Sequence, residues 1–291
     1  MIEIRNLTKK FPGVIAVNNL SLDIHPGING LVGENGAGKS TLLRLISGVF
    51  NEDEGTIFID GKDHNQKEAK SNLFFLCDDP YCPNGATVKE IVTLYSSLSD
   101  LDEDKFYSLL NQLGLPKDRR VSTFSKGMKR QLFLCLSLAM KAEYILLDEA
   151  FDGLDPIVQD VVKQDIIDNS SSKTFLISSH NLSSLERLCD NFILLSKGRF
   201  TKGGGVEDLG RNFKKYQIIF KEKISESDLL DKGIKVVSYK QIGSISYLVT
   251  EGEDDEQIIK DVFDPTLIEN VAIDNEEIIR LEMIVGRKEK N

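Results

Sequence analysis

Long apolar runs are missing from this sequence. The best, Leu132 to Met140, is closed off by Gln131 and Lys141. It falls far short of the roughly 18 to 20 residues that cross a bilayer as a helix. The start, MIEIRNLTKKF, lacks the basic-then-apolar shape of a secretory signal, so the expected location is the cytoplasm. Cysteine is scarce: Cys77, Cys82, Cys135 and Cys189 form no CxxC pair, which excludes a disulfide framework. Three scattered histidines supply no ligand set for a soft metal centre. Positive charge is also short. Lys and Arg number 36 against 46 Asp and Glu, a net charge of −10, which is a poor surface for nucleic acid. There is no internal repeat, no low-complexity stretch and no heptad run. What remains, 41% hydrophobic and 28% charged over 291 residues, is a globular composition with enough apolar mass for one large or two ordinary domains.

The order of patterns points to an α/β chain. Met1 to Leu7 and Leu20 to Ile24 alternate, Ile28 to Val32 is mostly apolar, and Gly55 to Ile59 runs into the turn Asp60-Gly61; all read as strands. Lys39 to Ser47 has helical spacing with Gly48 as its stop. Leu73 to Leu76 reads as a buried strand. The pattern then turns helical over Thr87 to Ser97, Leu101 to Leu113 and Ser125 to Met140. Strands are predicted again at Tyr144 to Leu147, Lys173 to Ser178, Asn191 to Ser196 and Arg199 to Lys202, with helices at Pro156 to Asn169 and Leu182 to Cys189. The triple glycine at 203 to 205 punctuates a change. Beyond it the pattern is βαββαβ with a further helix, the split order of a ferredoxin-like module. Residues 206 to 291 hold 19 acids and 13 bases, and the acidic run Glu251 to Glu256 reads as a solvated turn.

Two motifs carry chemistry. Gly33-Glu34-Asn35-Gly36-Ala37-Gly38-Lys39-Ser40 fits GxxxxGK[ST] at every fixed position and lies between a predicted strand and a predicted helix. Glycines let backbone N–H groups turn inward around phosphates, and the helix directs its positive end at them. Lys39 would reach the terminal phosphates, Ser40 would take one position on Mg²⁺, and Thr41 would donate to the α-phosphate. Tyr144-Ile145-Leu146-Leu147-Asp148-Glu149 sets two carboxylates on the tip of a buried strand. Asp148 would bind Mg²⁺ through water, and Glu149 would polarise the attacking water as general base.

With these motifs in place, residues 1 to about 204 resemble the ABC (ATP-binding cassette) ATPases. Phe124-Ser125-Lys126-Gly127-Met128 is similar to the family signature and ends 20 residues before Asp148. Gly153-Leu154-Asp155-Pro156 resembles the D-loop, with Asp155 as its acid. Ser178-Ser179-His180 resembles the segment carrying the switch histidine that contacts the γ-phosphate. Phe11 lies where the family places an aromatic ring against adenine, with Ala16 and Val17 on the strand beside it. The resemblance implies a P-loop cassette over 1–204, a mixed sheet with a helical subdomain at about 85–140, and a small α+β accessory domain over 205–291. It implies ATP and Mg²⁺ as ligands, and pairing of two cassettes as a homodimer or as a heterodimer with a second ABC ATPase. Each nucleotide would be buried against the partner's Ser125, Lys126, Gly127 and Met128. It further implies a separate integral membrane permease, no nucleic acid, and a place on the inner face of the membrane.

Three departures stand out. Asp78 occupies the position of a glutamine that senses Mg²⁺ and the membrane partner, and its carboxylate is expected to engage the metal or its water. Lys126 replaces a signature glycine, and Met128 replaces the final glutamine. The SKGM form resembles bacterial exporter-type cassettes for peptides, antibiotics and lipids. Phe74, Phe75, Tyr81 and Pro83 flank the Asp78 loop, either as packing beside a strand or as a groove for the permease. The rival function is a soluble ABC ATPase acting on ribosomes or DNA; a small P-loop kinase or GTPase leaves Phe124 to Met128 and His180 without a role.

Overall fold

The computed structural model describes residues 1–180, 185–209, 212–252 and 254–288 and divides into two compact units, Met1–Gly203 and Gly204–Asn291. In chain order, the first unit contains β1 (Ile2–Phe11), β2 (Val14–Ile24), β3 (Gly27–Gly33), α1 (Lys39–Ile46), β4 (Glu54–Ile59), β5 (Lys62–Asp63), α2 (Lys67–Ser71) and β6 (Leu73–Leu76). Three helices follow: α3 (Val88–Leu98), α4 (Glu103–Gln112) and α5 (Lys126–Ala139). The unit then adds β7 (Tyr144–Leu147), α6 (Pro156–Asn169), β8 (Thr174–Ser179), β9 (Asn191–Ser196) and β10 (Arg199–Gly204).

These strands form two sheets. One has the order β2-β1-β4-β5, with every neighbouring pair antiparallel. The other has the order β10-β9-β3-β8-β7-β6, and its β9/β3, β3/β8, β8/β7 and β7/β6 pairs are parallel. The residue patterns follow from this division. Strands of the parallel sheet are covered on both faces, so β3, β7 and β8 are buried almost end to end and read as largely apolar or small-residue runs, Asn29 of β3 apart. The alternation in β2 belongs to a sheet with one face toward the core. Between them lies a continuous core including Ile2, Ile4, Leu22, Leu31, Leu42, Leu43, Ile57, Leu146 and Leu176. Each such side chain contributes about 1.5 to 3 kcal/mol on burial.

Local signals set the helix ends. Thr87 and Glu90 form a reciprocal capping box before α3, Asp102 caps α4, and Asp155 with Pro156 starts α6. The apolar run Leu132–Ala139 of α5 is buried throughout, so a stretch too short for a membrane serves as a core helix. No helix among the described residues is long and apolar enough to cross a membrane. Of the helix expected over 182–189, residues 182–184 lie outside the described residues and 185–188 form a turn. The triple glycine is not a linker throughout: Gly203 and Gly204 belong to β10.

The second unit contains α7 (Val206–Leu209), β11 (Lys214–Ile219), α8 (Glu226–Leu230), β12 (Val236–Ile242), β13 (Ile245–Thr250), α9 (Asp255–Phe263), β14 (Leu267–Val271) and α10 (Asn275–Lys288). Its sheet order is β12-β13-β11-β14, all antiparallel, so each βαβ crossover straddles another strand, as in the split pattern. Alternate residues serve opposite faces. Tyr216, Ile218 and Leu248 pack with Leu229 of α8 and Ile259 of α9, whereas Val237 and Val249 pack with Leu281 of α10. The acidic run is not wholly solvated. Asp255 is buried and accepts a hydrogen bond from the Gly252 N–H at 2.8 Å.

Candidate active site

The phosphate loop spans the gap between β3 and α1, and two of its glycines are there because nothing larger fits. A β-carbon on Gly33 would lie 2.6 Å from the Leu195 carbonyl oxygen, and one on Gly38 would lie 2.4 Å from that of Ala16. Gly38 also has φ of 104°, in the left-handed region, where it caps α1. Glu34, Asn35 and Gly36 are exposed, while Ala37 is buried and donates its N–H to the Glu34 carbonyl at 3.0 Å. Ser40 and Thr41, both half-buried, occupy the first turn. Lys39 is buried; its Nζ donates to the carbonyls of Gly33 at 2.7 Å and Glu34 at 3.3 Å and lies 3.5 Å from Glu149 Oε1.

The ends of β7 and β8 bring the carboxylates to this loop. Asp148 is buried, and its Oδ1 accepts from Ser40 Oγ at 3.0 Å and from Ser178 Oγ at 2.7 Å. Its Oδ2 is equally buried and has no hydrogen-bond partner. A buried carboxylate oxygen left bare beside a hydroxyl suits a hard, oxygen-seeking cation, so Ser40 and Asp148 fit Mg²⁺. Glu149 has φ of 50°, a left-handed conformation that costs a non-glycine residue about 1 to 3 kcal/mol. Its N–H donates to Ser178 Oγ at 2.9 Å, which holds the strained turn in place. One serine thereby aims both acids. In the sequence Ser178 reads only as part of a Ser-Ser-His string, because its two partners lie 29 and 30 residues upstream.

His180 completes the group. Its Nδ1 is 2.9 Å from Glu149 Oε2 and 3.5 Å from Asp152 Oδ2, and its backbone N–H donates to Glu149 Oε2 at 3.2 Å. The side chain is 47% exposed, so it faces outward from the acids it touches. Burial and the neighbouring Glu149 charge hold the Asp152 carboxyl above its ordinary pKa. Lys39, Ser40, Asp148, Glu149 and His180 thus form one chain of contacts.

Other expected residues stand apart from this chain. Ser125 is the N-cap of α5 and accepts from the Met128 N–H at 3.1 Å; Ser125 and Lys126 are exposed, and Gly127 and Met128 are half-buried. Asp155 caps α6, accepting from the Val158 N–H at 3.1 Å. Phe11 ends β1, with its ring edge-on to Phe50 at 5.6 Å and the Lys9 ammonium 5.7 Å away. The hairpin that carries Phe11 approaches the phosphate loop through the Ala16 carbonyl. Asp78, expected at the metal, has one carboxylate oxygen in an ion pair with Arg130. It lines a cleft of about 430 Å³ together with Tyr81, Arg130, Phe133 and Asp148. Of the aromatics near it, Phe75 packs on the core and Phe74 lies against Tyr95, while Tyr81 is 76% exposed.

A family model described as ABC transporter matches residues 17–152. The chain is 33% identical over 226 residues to the ABC transporter ATP-binding protein YtrB of Bacillus subtilis, covering 76% of this chain and 77% of that protein. It is 30% identical over 232 residues to the lantibiotic transport ATP-binding protein SrtF of Streptococcus pyogenes, covering 77% of this chain and all of that one. Among solved structures, an ATP-binding subunit of an ABC transporter matches with a TM-score of 0.67 at 24% identity, over 72% of this chain and 92% of that chain. A dimeric bacterial ABC transporter cassette matches with a TM-score of 0.64 at 20% identity, over 70% of this chain and 98% of that chain.

Proposed function

The chain belongs to the ABC transporter family of ATP-binding proteins, and on that premise we propose that it hydrolyses MgATP as one half of a cassette dimer that drives a separate membrane permease. The observation that carries the reading is the contact chain from Lys39 and Ser40 through Asp148 to Glu149 and His180.

The loop amides from Gly33 to Lys39 and the N-terminus of α1 bind the phosphates, with Thr41 at the α-phosphate and Phe11 toward the base. Lys39 exchanges its carbonyl contacts for phosphate oxygens. Ser40 and Asp148 would hold Mg²⁺, which would supply positive charge to offset the phosphates. Glu149 takes a proton from the attacking water, and His180, hydrogen-bonded to Glu149, orients that carboxylate and meets the γ-phosphate from its exposed side. Asp155 shapes the turn that faces the partner cassette. The partner's Ser125, Lys126, Gly127 and Met128 close the site, with the positive end of α5 toward the nucleotide.

The permease is a necessary part of this reading, because moving a solute needs a membrane path. We place the chain on the inner face of the membrane. The SKGM signature and the lantibiotic-transport relative support export of a peptide, antibiotic or lipid. Affinity purification of the full chain from detergent-solubilised membranes tests this. A polytopic membrane protein in near-equal amount is expected; ribosomal or DNA-repair proteins in its place would overturn the transporter reading.

A further inference from the structure

Arg130 reaches from one part of the cassette into two others. It lies on α5, five residues after Ser125, and its side chain is 12% exposed. Nη2 pairs with the Asp78 carboxylate, and Nη1 donates to the Asp152 carbonyl at 2.9 Å. Asp78 follows β6 and Asp152 follows β7, neighbouring parallel strands whose ends are in register at Leu76 and Leu147. One guanidinium therefore bridges the loops that leave two adjacent strand ends. A planar fork makes both bonds at once, and a lysine ammonium does not reproduce that geometry.

The Asp152 end of this bridge leads directly into the site. The Asp152 N–H closes a turn on the Glu149 carbonyl at 3.2 Å, and the Asp152 carboxylate faces the His180 ring nitrogen that also holds Glu149. Freeing the Asp152 carbonyl would loosen both the turn that carries Glu149 and the acid beside His180. The Asp78 end explains the departure from glutamine in chemical terms, since only an anion gives Arg130 a charged partner there.

We propose that Arg130 is a positioning residue that clamps the signature helix to the Glu149–Asp152 turn, and that Asp78 serves this clamp and not the metal. The proposal rests on the reading of Glu149 and His180 as the hydrolytic pair. It makes α5 a rigid connection between the exposed Ser125 end, which faces the partner cassette, and the acids of the same chain.

The test pairs ATPase kinetics with hydrogen exchange of the full-length chain over residues 149–153, in Arg130→Met, Arg130→Lys and Asp78→Asn. Arg130→Met is expected to lower kcat about tenfold to a hundredfold, leave the KM for ATP within about twofold, and speed exchange in the turn. Arg130→Lys recovers only part of both effects. Asp78→Asn moves both in the same direction by less, and adds nothing when combined with Arg130→Met. Unchanged exchange and unchanged kcat in Arg130→Met would overturn the clamp. So would an Asp78→Asn variant that only raises the Mg²⁺ needed for half-maximal rate, since that places Asp78 on the metal. A wild-type chain that hydrolyses no ATP would sink the functional reading, while the exchange rates would still decide whether the clamp exists.

Discussion

Both units bury unpartnered polar atoms, among them His64 Nδ1 in the first, but they differ in whether those atoms lie within a convergent set. In the cassette, Lys39, Asp148 and Ser178 are buried at the ends of adjoining elements and are wired together, with one carboxylate oxygen left bare among them. In the C-terminal unit, the Tyr216 and Thr250 hydroxyls are buried on the same face of the sheet, and each lacks a hydrogen-bond partner. Burial, with the neighbouring Glu256 and Asp255 charges, has pushed the Tyr216 pKa up to about 12. The difference separates a site from a packing cost. Convergent, mutually oriented polar groups imply something to bind, whereas isolated orphans reflect what a well-packed apolar layer leaves behind.

Variants that break this contrast rank by the size of their effect. Glu149→Gln removes the proton acceptor and should cost at least about a hundredfold in turnover. It should also trap an ATP-bound dimer, visible by sedimentation with MgATP; hydrolysis at the wild-type rate would remove Glu149 from its role. Lys39→Ala loses charged hydrogen bonds worth about 1.5 to 3 kcal/mol, so ATP affinity should fall about tenfold to a hundredfold in a direct binding assay. Ser178→Ala leaves both acids in place but unaimed. We expect kcat down by about tenfold with ATP affinity close to normal, and a full-rate variant would show that the serine only packs. Tyr216→Phe should be the mildest. Removing an unpaired buried hydroxyl should change unfolding free energy by no more than about 1 kcal/mol, toward greater stability if anything, with ATP turnover untouched. A large loss of stability would mean that the hydroxyl has a partner, such as a bound water.

Legibility in the sequence followed the range of the interaction. The phosphate loop was readable because its glycines, Lys39 and Ser40 lie within eight consecutive positions. The acids at 148 and 149 were readable because a four-residue apolar strand announces its own end. The helix stop at Gly48 came from capping chemistry, which is equally local, whereas the caps made by Thr87 and Asp155 are seen only in the structure. The split order of the C-terminal unit was readable for the same reason, strand by strand. The bridging bonds of Ser178 and the Asp78–Arg130 pair were not, since their partners are 29 to 52 residues apart and nothing in a lone serine or arginine names the other end. The division of the cassette strands between two sheets was hidden likewise, because pairing is a property of neighbours in space. Asp255 reversed its expected exposure by folding back on the Gly252 N–H, three residues before it.

Gly33 and Gly38 carry a consequence for heredity. Every missense change of a glycine codon adds a β-carbon, and at these two positions that carbon would meet backbone carbonyl oxygens at 2.6 and 2.4 Å. Backbone cannot rotate aside as a flexible side chain can. Drift at these codons is therefore confined to silent changes, while Gly36, three residues from one and two from the other, has open space around its Cα and is limited only by its φ of 81°. A library covering all substitutions, grown under selection for this chain's activity, would return two empty columns on either side of a sparsely filled one.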